Sequence, residues 1–285
     1  MTAQTPTPTT TATAVPAAAR RGALAAAPAA SRPRGGALLR MTVAEARLLV
    51  RDPAAGFFAL GFPALLITVL GLTMPWADEP FDDRDPLLAQ ITAITGYTPI
   101  VLSLAVATVG LSSLPVAVAT YRQRGVLKRL SATPVGPARL LVAQVLVYLG
   151  ALVVAAVVAL VCAVLVVGVT LPKQPWTVAL AFLLGVLSTF AVGGLIAARA
   201  ATTGAANGIG MTAYFISLFF AGVWTPLPIM PEAVQTIARY LPLGAASQAM
   251  TDAWVGAPFP TQQVLVMAAW ALVGTPLAVR LFRWS

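Results

Sequence analysis

Histidine is absent from this chain of 285 residues, and cysteine occurs once, at Cys162. Without histidine the commonest metal ligand and the usual near-neutral proton switch are missing. A lone cysteine excludes an intrachain disulfide and a zinc cluster. Lysine is confined to Lys128 and Lys173, and neither follows a GxxxxG pattern. The phosphate-binding loop that grips ATP in many ATPases is therefore missing. Charge of either sign is scarce: 9% of residues are charged, against about 25% in a soluble domain. Such a chain cannot cover a water-facing surface.

Apolar residues fill the space, at 59% of the total. Uncharged runs long enough to cross a bilayer, at about 20 residues each, recur after residue 53. One helical membrane domain is the economical reading. The net charge of +9 comes from cations scattered among short loops. A nucleic-acid footprint would gather them on one face, so no nucleic-acid partner is expected.

Residues 1–37 are rich in Thr, Ala and Pro and carry Arg20, Arg21, Arg32 and Arg34. This composition cannot bury a core and predicts a disordered cytoplasmic tail. A secretory signal built on Arg20-Arg21 is the rival, but the GALAAAPAA run after it is too weakly apolar. Residues 38–52 predict an interfacial helix. Leu39, Val43, Ala46 and Val50 share one face, for the acyl boundary; Arg40, Arg47 and Arg51 line another, for lipid phosphates. A cytosolic amphipathic helix is the plainer alternative. Asp52-Pro53 ends it either way.

Six spans are predicted, near 54–74, 93–120, 140–169, 177–198, 204–224 and 264–280. Pro63, Pro99, Pro115 and Pro276 mark kinks. The count shifts to five or seven with the behaviour of 226–262. With the N-terminus inside, inner segments hold 15 of the 18 Lys and Arg residues, and outer loops hold seven of the nine acids. That asymmetry predicts a multi-pass protein of the cell membrane with both termini cytoplasmic. No span interior carries Asp, Glu, Lys, Arg or His. Proton-coupled carriers and intramembrane aspartyl proteases need one. Sodium coupling through carbonyls opened at Pro99, Gly110 and Pro115 stays open as an alternative, beside ordinary kinks. Span polar residues such as Thr98, Ser103, Thr108, Asn207 and Thr212 more often serve helix packing than ligands.

The loop 121–139, YRQRGVLKRLSATPVGPAR, holds five cations and no acid. After Gly125, the side chains of Val126, Leu127 and Leu130 fall on one helical face, with Lys128 and Arg129 on the other. A short helix of this kind fills a groove on a soluble partner, or else merely holds topology while Leu127 dips into lipid.

The run R-G-V-L-K-R-L-S-A-T-P at 124–134 resembles the signature of type-2 ABC transporter permeases, E-R-E-x-G-T-L-x-x-L-x-x-T-P. E-A-R-L-L-V-R-D-P at 45–53 resembles that family's N-terminal helix, and T-P-L-P-I-M-P-E at 225–232 with Tyr240-Leu241-Pro242-Leu243 resembles its proline-rich outer segment. The likeness covers 38–285, and drug-exporter-like permeases are the branch it favours. The family's two acids before the glycine fall at Tyr121 and Gln123 here. The resemblance implies an all-α integral membrane domain with six transmembrane helices, an N-terminal interfacial helix and a re-entrant extracytoplasmic segment. It implies a non-enzymatic permease that exports an amphipathic drug-like or lipid-like cargo, as in multidrug efflux and antibiotic resistance. Two copies of an ABC ATPase would carry ATP and Mg. The permease would pair with itself or a related chain, surrounded by membrane lipid. No cofactor or metal is expected on this chain. Gly125, Val126, Leu127, Lys128, Arg129 and Leu130 become the coupling element. Pro226, Pro228, Pro231, Leu241 and Pro242 become an outer gate, or a structural lid. An ion-coupled carrier or channel and a non-transporting scaffold are the rival functions.

Overall fold

The computed structural model describes residues 34–133 and 136–282. The expected tail up to residue 33, Pro134 and Arg283 lie outside the described residues. The described residues are helical, with one isolated bridge between Pro80 and Thr92 and no strand. The chain is an all-α integral membrane protein. The first helix, α1 (Arg34–Arg51), starts four residues earlier than the sequence suggests. It has three faces rather than two. Leu39, Val43 and Val50 are exposed, as an acyl-facing stripe should be, and so are Arg40, Arg47 and Arg51. The third face turns Glu45, 9% exposed, into the protein.

The next helix, α2, is continuous from Pro53 to Thr73 but changes pitch. A π turn at Phe57–Gly61 precedes Pro63, and Phe62 N–H reaches back to Phe57 O. Proline has no N–H and crowds the preceding turn, and a wider turn absorbs that misfit. The same device recurs in α3 (Ala93–Gln123), where a π turn at Thr108–Ser113 precedes Pro115 and Leu114 N–H reaches Val109 O. The kinks predicted at Pro63 and Pro115 are thus π turns. At 31 residues α3 spans about 46 Å. That exceeds the apolar thickness of roughly 30 Å, so its last turns stand outside the hydrocarbon.

A short helix, α4 (Val126–Ser131), follows, and then α5 (Pro137–Val167). One side of α5 buries Ala143, Ala151, Ala155, Ala159 and Ala163; the other exposes Val154, Val157, Val158 and Val161. Small residues on the packed side allow close approach, and branched apolar ones meet lipid. The chain continues through α6 (Pro175–Arg199), α7 (Thr203–Ala221), α8 (Glu232–Tyr240), α9 (Pro242–Val255) and α10 (Thr261–Leu281). Among the described residues five helices, α3, α5, α6, α7 and α10, are long and apolar enough to cross a membrane; Phe57–Thr73 is a shorter apolar helix.

The apolar stretch 225–262 forms two short helices that bury Leu227, Met230 and most of Pro242–Val255, while Ile229, Ile237 and Phe259 stay exposed. Amphipathic α8 lies over α9, and α9 is buried almost throughout. Trp254 is 1% exposed and donates from Nε1 to Thr170 O at 2.8 Å. Backbone bonds from Lys173 and Gln174 to Trp254 O and Ala253 O tie the α5–α6 loop to the end of α9. Pro231 is the N-cap of α8 and Pro242 the first residue of α9. Proline's missing N–H costs nothing in a first helical turn.

Candidate functional site

The hairpin between α3 and α5 is built by one glycine. Gly125 sits at φ +65°, where an L side chain is strained, and α3 ends there. Six residues of α4 then cross the end of the bundle. Here the expected docking face is corrected. Leu127 is 1% exposed and packs inward, while Val126 and Leu130 are half-buried. The side turned outward carries Lys128, Arg129 and Ser131. Leu127 thus holds α4 to its own chain, and the basic side faces outward. Thr133 Oγ1 donates to Leu130 O at 2.8 Å and Arg129 Nη2 to Arg124 O at 2.8 Å, fixing both ends of the turn.

Three consecutive residues at the end of α3 grip three different elements. Tyr121 Oη donates to both carboxylate oxygens of Glu45 on α1, at 2.9 and 2.8 Å. Arg122 Nη1 donates to Ala197 O of α6 at 2.9 Å and to Ala200 O, and its guanidinium lies 4.9 Å from the centre of the Phe282 ring beyond α10. Gln123 Oε1 accepts from Thr203 Oγ1 at the start of α7. Successive side chains on a helix point about 100° apart, which is why one tripeptide reaches three neighbours. The two positions where the family carries acids thus do make polar contacts. Tyrosine and glutamine occupy them, and the acid sits across the gap at Glu45.

Burial raises the Glu45 carboxyl above the usual range, and the Tyr121 hydroxyl bond opposes that rise. The pair is therefore coupled. Tyr121→Phe is expected to cost about 1.5–3 kcal/mol, the usual worth of a hydrogen bond to a charged group. The cost should shrink in a Glu45→Gln background. Thermal unfolding of the four variants in detergent checks it; an identical cost in both backgrounds would remove the coupling.

Beside this contact lies a cavity of about 420 Å³ between α1, α3, α5 and α7. Glu45 enters it from α1 and Asp52 from just after that helix, Ser112 and Tyr121 from α3 and Arg124 from just after it, Gln144 and Tyr148 from α5, and Asn207 from α7. Ser112 belongs to the π turn, so the pitch change opens onto this space. The sequence offered no Asp, Glu, Lys, Arg or His in a span interior, and the cavity's carboxylates come instead from the interfacial helix and the residue after it. Of the five polar span residues named from the sequence, Thr98, Ser103, Thr108, Asn207 and Thr212, Asn207 alone lines it. Thr98, Ser103 and Thr212 bond back to their own helix carbonyls. Thr108 does so too and also meets Tyr214 Oη at 3.4 Å.

At the opposite end of the bundle a second cavity, about 240 Å³, opens between α8 and α9. Of the five residues expected in the gate only Pro228 lines it. Pro226 and Leu241 are half-buried, Pro231 is exposed and Pro242 is buried. The cavity's polar lining includes Asp85, Gln235, Arg239, Thr251 and Asp252, residues that composition did not single out. Burial pushes the Asp252 carboxyl up to about 6; Arg239 opposes the rise and Asp85 adds to it. The folded protein therefore holds this proton more tightly than the unfolded chain does. The stability it contributes is complete below about pH 4 and is lost as pH rises through about 6. A shift of this size is worth roughly 3 kcal/mol. Wild-type protein is expected to lose stability from pH 4 to 7 by that increment over Asp252→Asn; parallel pH profiles of unfolding would refute it.

A multi-pass helical membrane protein with a basic hairpin at one end and a buried helix beneath an amphipathic one at the other has the form of a transporter's membrane domain. The ABC-2 type transporter family model matches residues 37–254, and the chain belongs to that family. It is a permease subunit that serves transport in association with an ABC ATPase subunit. No curated protein matches the chain significantly.

Proposed function

We propose that the chain is the permease half of an ATP-driven exporter, in the drug-exporter-like branch. The hairpin end faces the cytoplasm and both termini lie inside. In this reading α2 joins the five longer helices as a sixth span. Two permease chains, identical or related, pair and bind two copies of the ATPase, which carry ATP and Mg. The exposed sides of α5, α7 and α10 meet lipid or the second permease. The cargo is amphipathic, drug-like or lipid-like.

One observation carries the reading: the Tyr121-Arg122-Gln123 clamp. A push on α4 from the ATPase arrives at residues already bonded to α1, α6 and α7 and stacked on Phe282. Movement of the hairpin therefore moves the walls of the larger cavity together. That cavity mixes carboxylates and amides with Leu48, Leu49, Val116 and Val147, which suits a cargo with a polar head and an apolar body. Vesicles holding the permease and its ATPase provide the test. Export of an amphipathic dye that requires ATP supports the proposal. Export that persists without ATP and collapses with an ion gradient would make the chain an ion-coupled carrier instead.

A further inference from the structure

We propose that an apolar cavity between α3, α5, α6 and α10 holds an acyl chain of an anionic phospholipid, whose phosphate sits on the arginines at the hairpin end. The site is separate from the cavity assigned to cargo, and it does not depend on the direction of transport.

The cavity encloses about 210 Å³. Its floor is buried, with Leu114 and Val118 from α3 and Phe190, Ala191 and Ala197 from α6. Its rim is exposed at Leu187, Thr275 and Val279. The space therefore opens on the outside of the bundle, between helices long and apolar enough to cross a membrane. Thr275 carries the one polar side chain among the lining residues. Such a wall offers no charge and almost no hydrogen bonding, so it suits a hydrocarbon chain. The depth suits one too. Along α6 the lining runs from Leu187 to Ala197, about 15 Å of helix. That is half of an apolar thickness of roughly 30 Å, the share of one leaflet. Ala197 and Val279 lie in the last turns of α6 and α10, so the leaflet is the one at the hairpin end.

Charge identifies the head group. None of the four helices contains Asp or Glu. Each has an arginine in its end turn on this side: Arg122 on α3, Arg139 on α5, Arg199 on α6 and Arg280 on α10. Arg122 ties this cluster to the cavity. Its guanidinium lies 4.9 Å from the centre of the Phe282 ring, which lines the space, and Nη1 donates to Ala197 O. Arg199 and Arg280 are exposed. Basic groups between membrane helices recognise the phosphates of anionic lipids. A zwitterionic lipid would fill the slot but bring its own cation to the arginines. A free anion would meet the arginines and leave the slot empty.

The test uses the full-length permease in a maltoside detergent, without any ATPase. Dioctanoyl phosphatidylglycerol, dioctanoyl phosphatidylcholine and inorganic phosphate are titrated by calorimetry against the protein and against detergent alone. Phosphatidylglycerol is expected to bind at least about tenfold more tightly than phosphatidylcholine, and inorganic phosphate not to bind. Arg199→Gln with Arg280→Gln should weaken phosphatidylglycerol by about fivefold per arginine, leaving phosphatidylcholine within about twofold. Thr275→Trp, on the exposed rim, fills the slot. Excluding two methylenes from it should weaken both lipids about tenfold; Val279→Trp is the second variant if the first fails to fold. Equal affinity for the two lipids overturns the proposal, as does inorganic phosphate binding as tightly as phosphatidylglycerol. Lipid binding indifferent to both tryptophan variants does the same. So does a wild-type dimer that both tryptophan variants split into monomers in sedimentation, for then a second chain fills the slot.

Discussion

Reversing the charge of Lys128 and Arg129 together is expected to abolish ATP-driven transport while leaving the permease folded in the membrane. Both side chains are exposed on α4. Exposed substitutions of this kind usually change stability by about 0.5 kcal/mol or less. Arg129 also donates to Arg124 O, so Arg129→Ala is the control for that lost bond. At an interface the arithmetic differs. Placing like charges face to face costs several kcal/mol, and each 1.4 kcal/mol is about tenfold in affinity. The double reversal should thus lower ATPase affinity at least about a hundredfold. Co-purification and ATP-dependent flux measure it, and normal coupled flux from Lys128→Glu with Arg129→Glu would end the docking role of α4. Leu127→Asp is no substitute, since a carboxylate at a site 1% exposed disrupts the fold itself.

That contrast shows what the sequence made legible at the hairpin and what it did not. The spacing of Val126, Leu127 and Leu130 correctly implies a helix with one apolar side. It does not say whether that side meets a partner or the chain's own helices, because both choices bury the same area. Five of the six predicted spans coincide with helices long and apolar enough to cross, because uncharged runs of this length have few other destinations. The pitch changes were not, since a π turn and a simple bend look alike around Pro63 and Pro115. The clamp was also hidden. Tyr121 and Gln123 read as departures from the family's acids, and their partners Glu45 and Thr203 are 76 and 80 residues away. Only packing brings them together.

The largest effect on folding is expected where α7 crosses the π turn of α3. Gly210 presses so closely that an added Cβ would lie 2.4 Å from Leu111 O, and a Cβ on Gly193 of α6 would lie 2.0 Å from Gly110 O. Both obstacles are backbone carbonyls in the segment Thr108–Ser113, and a carbonyl held in a helix has no rotamer by which to yield. Gly210→Ala or Gly193→Ala therefore forces whole helices apart. The expected cost is at the upper end of the overpacking range, about 3 kcal/mol or more. Gly208, on the same helix two residues away, has nothing within 4 Å of such a Cβ. Gly208→Ala should instead be neutral or stabilise by up to about 1 kcal/mol, because glycine is a poor helix former. Detergent thermal unfolding of the three variants checks the contrast, and the crossing loses its importance if Gly210→Ala behaves like Gly208→Ala. The crossing also bears on transport. The same π turn places Ser112 in the larger cavity, so a variant that survives with α3 and α7 spread apart should change cargo binding before it changes ATPase docking. Wild-type cargo affinity in such a survivor would separate the π turn from the site.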